Sequence, residues 1–468
     1  MQTTPPTTRR RTGRLAILGT AGVATAAALA MVSTTPFAQA AAVHVDPLEK
    51  ALGFNVFVQN DTTLASLEAE GAIATGGDLV IDGVYNVALH GAGTFTVSGD
   101  AQPSALVVGG TVDFADSTAS GVIRVLDNGY VKVGDLSGVD VLTVDGNGAQ
   151  VSTRLVASGA GYNGEPRIEL VTQQPASSVG PASPIDFAAA FIDFRAKAAL
   201  LAECPNTVAM TDPNGTTVAK GAVASGQQIR ITLEEGKTNV LNLTGDDLNN
   251  MANLTFLNAP TATAPLLVNV DTSGTGGALD WDVKTQAGIG GSQAPYVLWN
   301  FGDTEQLTIS SGDTVEGSVY APNAAYLDVS PTNVEGQIVV KSAGLGAVGE
   351  NGGEVHDFPF TAELACETDT NPTATVTPNP QTLTPSDSAS AGPSTPGASG
   401  TGGMGGTGNG GTDETGSTGG TGGASGGNSL ATTGDSLRPL VIAAGALIAV
   451  GAAVLGAATV RRRSAGNR

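Results

Sequence analysis

The chain has 468 residues, with 21 lysines and arginines against 43 aspartates and glutamates, a formal net charge of −22, and only 4% aromatic residues. Nine of the basic residues and one acid fall within 1–40 or 435–468, which leaves 12 basic and 42 acidic side chains between them, a net of −30. That balance excludes nucleic acid and anionic lipid surfaces as partners of the middle part, because both would be repelled.

The first forty residues read as a signal peptide. Arg9, Arg10, Arg11 and Arg14 form a positive region, Leu15 to Val32 an apolar one, and Ala38-Gln39-Ala40 a small-x-small cleavage site at Ala38 and Ala40. The run "TRRRTGRL" leaves the twin-arginine and general secretory routes both open.

Residues 45–366 form a head built from short β-type runs. They include "GGDLVIDGVYNVALHG" (76–91), "GVIRVLDNGYVKVGDL" (121–136), "YVLWNFGDTEQLTISSG" (296–312) and "TNVEGQIVVKSAG" (332–344), each punctuated by Gly, Asn or Asp. Val315-Glu316-Gly317 recurs as Val334-Glu335-Gly336, nineteen residues on. A period near twenty, with Gly at corners and Val or Ile between, predicts a mainly β fold in which coils of a parallel β-helix stack as a β-solenoid. The alternative is a β-sandwich, for which "DNG" (127–129) and "DGNG" (145–148) would supply hairpin turns.

One flanking α-helix is expected at about 184–204. Ser183 is placed to cap it, with Pro184 at the first position and Asp186 at the third. Phe187, Phe191, Phe194, Ala198 and Leu201 then follow one face, and Pro205 ends it. That stripe reads as core packing against one wall of the head. Cys204 and Cys366 are the only cysteines, and an even count in an exported chain points to one disulfide, two buried thiols being the alternative. The three histidines, His44, His90 and His356, have no metal-ligand spacing, so no metal and no cofactor are expected.

Residues 367–429 form a linker, first Pro/Thr-rich and then Gly/Ser/Thr-rich, with no aromatic residue from which to build a core. It is expected to be disordered and to act as a wall-spanning stalk. Leu430-Ala431-Thr432-Thr433-Gly434 follows, then Pro439 to Val460 as 22 uncharged residues, then Arg461, Arg462 and Arg463 opening a basic cytoplasmic tail at 461–468. The span suffices to cross ~30 Å of hydrocarbon as a transmembrane helix, and the arginines hold its end inside. Pentapeptide, apolar span and basic end, in that order, resemble a sortase cell-wall sorting signal of the LAxTG kind, found in high-GC Gram-positive bacteria and handled by class E sortases. The resemblance implies cleavage after Thr433, transient membrane insertion and transfer to peptidoglycan; a permanent single-span anchor is the alternative.

The head resembles the choice-of-anchor A family of bacterial surface proteins, an adhesive domain. The stretches that carry this are "LGFNVFVQNDTTLASLEAEGAIATGGDLVI" (52–81), "VLWNFGDTEQLTI" (297–309), "GSVYAPNAAYLDVSPTNVEGQIVVKS" (317–342) and "GGEVHDFPFTAEL" (352–364). The strand arrangement is also similar to β-solenoid ice-binding proteins, where a helix lies beside the coils. These resemblances imply a secreted, non-catalytic, wall-anchored adhesin with an extracellular ligand, a matrix protein or a glycan. Trp299, Tyr320 and Tyr326 are the aromatics to test first for contact with it. A structural coat protein is the alternative; an ice-binding protein would need Thr ladders, and "TFTV" (94–97) is nearly the only Thr-x-Thr among the runs. A polysaccharide-degrading enzyme would need two facing carboxylates of opposed pKa, which no spacing here marks. Most acids stand in turns ("DPNG", "VDGNG"), where solvated carboxylates, or at most a weak calcium site, are expected.

Overall fold

In this computed structural model residues 43–346 and 353–366 are described. The expected signal peptide, linker, sorting motif (430–434), apolar span and basic tail lie outside them. The described residues are mainly β, forming four sheets and two α-helices, and they fall in one unit of the chain, Met1–Thr377.

Parallel pairing dominates. The longest ladder runs Tyr130–Val133, Ser104–Val108, Ile73–Thr75, Val56–Val58, Ile338–Leu345, Ser318–Asp328, Val297–Asn300, Leu266–Asp271 and Asn239–Thr244, every step parallel. Its order shows that the chain starts in the middle of the stack and climbs to one end. It then crosses to the other end and descends until it meets its own beginning. Ladders of this length are foreign to the antiparallel sandwich alternative.

A second parallel row continues from the same circuits, through Ala278–Val283, Gln306–Gly312, the far ends of Ser318–Asp328 and Ile338–Leu345, Thr62–Leu64 and Leu79–Ile81. A third joins Val315–Glu316, Val334–Glu335, Val355–His356, Glu68–Ala69, Val84–Val87 and Val122–Val125. The nineteen-residue repeat is visible here as register: Val315 pairs with Val334 and Glu316 with Glu335. The glycine that ends each copy is required by space and by backbone. Gly317 and Gly336 sit at φ +126° and +156°, and a Cβ on Gly336 would lie 2.8 Å from the backbone of Gly317.

Where strands are parallel and closed on both sides, both of their faces read as apolar. Inward side chains such as Val56, Ile73, Leu106, Val268, Trp299 and Val340 make the interior. On the first ladder the outward set (Phe57, Ala74, Val107, Leu267, Leu298 and Val339) is also buried, because α1, Phe187–Ala202, lies across it. All five stripe residues are buried, Phe187 least so, while Ile192 on the opposite side is 70% exposed. Phe194 packs edge-on to Phe57, Phe191 and Tyr320 at 5.6, 5.2 and 5.9 Å between ring centroids.

The helix begins three residues later than the capping pattern predicted. Asp186, not Ser183, is its cap: Asp186 Oδ1 accepts from the Ala189 amide at 2.9 Å, whereas the Ser183 hydroxyl donates to Ile185 O. Ser183 is thus spent on the turn before the helix, and Pro184 precedes the helix as well.

A row of polar donors clamps the other end of α1. Asn242, Asn269, Asn300 and Tyr320 stand side by side on four adjacent strands. They donate to the carbonyls of Cys204, Leu201, Ala198 and Phe194 at 3.1, 2.9, 3.0 and 2.8 Å. The match is one of pitch. Ten residues at ~1.5 Å per residue span ~15 Å of helix, and three inter-strand steps of ~4.8 Å span ~14 Å. One donor per strand therefore meets one carbonyl per turn; Phe194 O, Ala198 O and Leu201 O, which also accept backbone amides, each gain a second donor, and Cys204 O, past the helix end, is capped by Asn242.

Candidate functional site

The three aromatics singled out from the sequence do not face solvent. Trp299 points inward, 1% exposed, against Trp281 at 5.2 Å, and its Nε1 donates to Glu316 O at 3.0 Å. Tyr320 is roofed by α1, and Tyr326 lies in the interior with its hydroxyl donating to Asp328 Oδ2 at 3.2 Å. The proposed ligand contacts at Trp299, Tyr320 and Tyr326 are therefore corrected: all three are packing residues. The sequence could not separate the cases, since a strand buried on both faces gives no alternation to read.

The cysteines do meet. Cys204, two residues past α1, is bonded to Cys366, 162 positions further along the chain, with Cα atoms 5.5 Å apart. Cys366 ends the strand Leu364–Cys366, which pairs antiparallel with Val43–Val45. The bond thus ties the helix end to the point where the described chain starts and stops.

With the first ladder covered by α1, two outward faces remain without a helix. On the second, the central outward row reads Asp280, Thr308, Leu327, Gly344, Thr63 and Val80 across six neighbouring strands. Leu327 is 44% exposed. No threonine ladder is present in that row.

The third face carries a row of ionisable groups. Glu316, Glu335 and His356 are register neighbours, and Glu70 continues the line just past Ala69. His356 Nδ1 is 2.8 Å from Glu335 Oε1, and its Nε2 is 3.1 Å from Glu354 Oε2 and 4.0 Å from Glu70 Oε1. His90 Nδ1 reaches the same Glu70 oxygen at 2.9 Å. Burial works against the charge on His356, but hydrogen bonds to Glu354 and Glu335 and the charges of Glu335 and Glu70 outweigh it and raise its pKa. Burial, with the Glu335 and Asp313 carboxylates adding to it, pushes Glu316 up to about 7. His356 is thus the centre of an ion-pair cluster where Val355–His356, close to the end of the described residues, docks beside Glu68–Ala69, close to their start.

Two strand cations, Arg124 and Lys132, stand on the consecutive strands Val122–Val125 and Tyr130–Val133. Lys132 is buried and is salt-bridged to Asp100, while Arg124, in a different sheet from Lys132, is exposed and lies 3.3 Å from Glu169, its register partner on the neighbouring strand. They form no joint site.

The largest opening described is a groove of about 780 Å³ between the first two faces, lined by Arg195, Asp303, Glu305, Gln306, Asn323, Ala325 and Lys341. Arg195 projects from α1. Its Nε donates to Asn323 Oδ1 at 2.8 Å, its Nη2 to Gln59 Oε1, and its guanidinium lies 5.5 Å from the Phe191 ring centroid. A smaller cavity of about 230 Å³ lies past the helix end beside Lys220 and Asp271, which pair at 2.8 Å. Lys220 and the Ser273 hydroxyl hold Asp271 down at about 2.

The turn acids behave as turn acids. Asp145 Oδ1 accepts from the amides of Asn147 and Ala149, and Asp212 Oδ1 from those of Asn214 and Thr216. Among the described residues no three His, Cys, Asp or Glu side chains are arranged to hold a metal ion, and no helix is long and apolar enough to cross a membrane.

A family model described as "Putative Ice-binding-like adhesive domain" matches residues 47–357. No curated protein matches the chain. Among solved structures, the chain matches the ice binding protein from an Antarctic bacterium Flavobacteriaceae at 13% identity, over 66% of this chain and 98% of that one, with a TM-score of 0.23.

Proposed function

The chain belongs to the ice-binding-like adhesive domain family over residues 47–357, and from that premise we propose that it is a cell-wall-anchored surface adhesin whose head binds without catalysis. The observation that carries the reading is the family match, which spans nearly all of the described residues. We read the three parallel rows as a β-solenoid. Such a stack offers rigid faces repeating at the inter-strand spacing, and α1 closes one of them. Adhesion then falls to the open second face and to the groove beside α1.

The N-terminal export signal and the order of LATTG, apolar span and arginines support display on the outside, with a class E-like sortase cleaving after Thr433 and peptidoglycan as acceptor. The linker would carry the head through the wall. An ice-binding reading lacks its threonine ladder on the open row, and a glycan-degrading reading lacks an opening over the neighbouring carboxylates of the third row. Glu316 and Glu335 are neighbours, but Glu335 is held by His356, and neither cavity described above opens onto them.

Two experiments test this. The full chain, folded or heat-unfolded, is applied to an array of matrix proteins, glycans and wall polymers. Saturable binding by the folded form alone is expected, and silence from verified folded protein turns the reading to a structural coat. Wall digests should contain a peptide ending at Thr433 joined to a cross-bridge fragment, and intact Gly434 on most molecules would refute sorting.

A further inference from the structure

Twelve lysines and arginines occur in the described residues, and nine of them lie within ion-pair distance of an aspartate or glutamate. Arg195, Arg230 and Lys341 do not. Arg230 donates to the carbonyl of Pro213 at 3.2 Å. The other two line the same groove. Among the described residues this leaves one place where two cations line the same groove with no carboxylate within ion-pair distance of either, beside Asp303 and Glu305 of the same lining.

Arg195 is also held in place. Gln59 and Asn323 take its Nη2 and Nε, and the Phe191 ring lies under it, so its direction is set before any ligand arrives. Its Nη1 has no protein partner. A fixed guanidinium with a free edge is suited to a carboxylate, and an ammonium beside it adds charge without demanding geometry. The remaining polar groups differ in what they can take. Gln306 is exposed and can give and accept hydrogen bonds to hydroxyls. Asp303 already accepts from the Thr272 amide and hydroxyl at 3.1 and 3.2 Å. Glu305 keeps an uncommitted carboxylate, which accepts from hydroxyls and repels a second anion.

We propose that this groove binds a saccharide bearing a single carboxylate, with the carboxylate held by Arg195 and Lys341 and the hydroxyls by Gln306 and Glu305. Glu305 and the negative charge of the whole chain select against polyanionic chains. The inference rests on the adhesin reading and gives it a ligand class.

The test uses the full chain and three probes: sialyllactose, lactose and polygalacturonate, measured by calorimetry, with thermal melting as the folding control. Sialyllactose should bind roughly tenfold more tightly than lactose. Lys341→Gln, at an exposed side chain without protein partners, should melt as the parent does and remove that preference. Glu305→Gln should raise affinity for polygalacturonate. Equal binding of lactose and sialyllactose, or a preference that survives Lys341→Gln, overturns the groove assignment. Absence of binding to all three probes overturns it as well. In each of those cases adhesion of the full chain to the array of surfaces decides the broader reading separately: if adhesion persists the adhesin stands without this groove, and if it is absent both fall.

Discussion

The first ladder and the third are built from the same circuits, yet one is covered by a helix and the other is not. On the first, the outward residues are Phe57, Val107, Leu267, Leu298 and Val339, joined by three asparagines and Tyr320. On the third, the outward residues are Glu316, Glu335, His356 and Glu70. Inward residues are apolar in both. What decides whether a parallel face acquires a helix is therefore its outward row. Apolar residues there demand a cover, and the asparagines provide for the carbonyls that the cover brings. A row of ionisable groups acquires no helix, and its half-buried members partner one another instead, His356 with Glu335, Glu354 and Glu70.

If that account is right, the covered face should be the one on which stability depends most. Phe194→Ala removes the ring at the centre of the helix contact and should cost about 4 kcal/mol, seen as a fall of about 10 °C in Tm. Cys204→Ser, which frees the helix end, should cost about 3 kcal/mol by chemical denaturation. Asn269→Ala removes one of the two donors to Leu201 O and one of the two acceptors of the Asn300 amide, and should cost about 1 kcal/mol. A loss under about 0.5 kcal/mol there would mean that the pitch match is incidental.

The charged and interior acids sharpen the contrast through pH. Burial pushes Asp328 up to about 7, against hydrogen bonds from the Ser330 amide and the Tyr326 hydroxyl that lower it. Its folded value exceeds the unfolded ~3.9, so its stabilising contribution is complete below pH ~4 and is lost as pH rises through ~7. Glu316 has the same sign over the same window. His356, raised above its ordinary value, stabilises below pH ~6.5 and loses that contribution as pH climbs past its folded pKa. Asp271, held at about 2, contributes above pH ~4 and fails only as pH falls toward 2. Stability should therefore peak between pH ~4 and ~6 and decline toward pH 8. Asp328→Asn should recover about 1–3 kcal/mol at pH 8 and almost nothing at pH 4. His356→Gln should give the smallest effect, a flattening of the slope between pH 6 and 8 with little change in Tm at pH 8.

Much of α1 was legible because five residues at helical spacing mark one face and nothing else in the chain imitates them. Its start was misjudged by three residues because Asp186, read as the third helical residue, is itself a capping type, and only geometry shows which side chain reaches an amide. The turn motifs show the same limit. "DGNG" closes an antiparallel hairpin between Val139–Val144 and Gln150–Ala157 as its composition suggests. "DNG" does not: Asp127 and Asn128 adopt positive φ, but the strands either side go to different sheets. A corner and a hairpin ask the same of the backbone. The nineteen-residue repeat was visible because it is local. The seam that joins Val56–Val58 to Ile338–Leu345 was not, since it depends on partners about 280 residues apart. The asparagine row stands at uneven intervals, and the groove gathers Arg195, Gln306 and Lys341 from three distant segments, so neither leaves a motif in the sequence.

The claim most exposed to test is that the open second face and its groove adhere while the helix side does not. Thr308→Cys on the open row and Ile192→Cys on the outer side of α1 each place one label site on a surface residue, and both can carry a maleimide-linked polyethylene glycol. With the full chain adhering to whichever surface the array identifies, the label at position 308 should abolish binding and the label at 192 should leave it intact. Binding that survives at 308 and is lost at 192 would contradict the account, placing adhesion on the helix side.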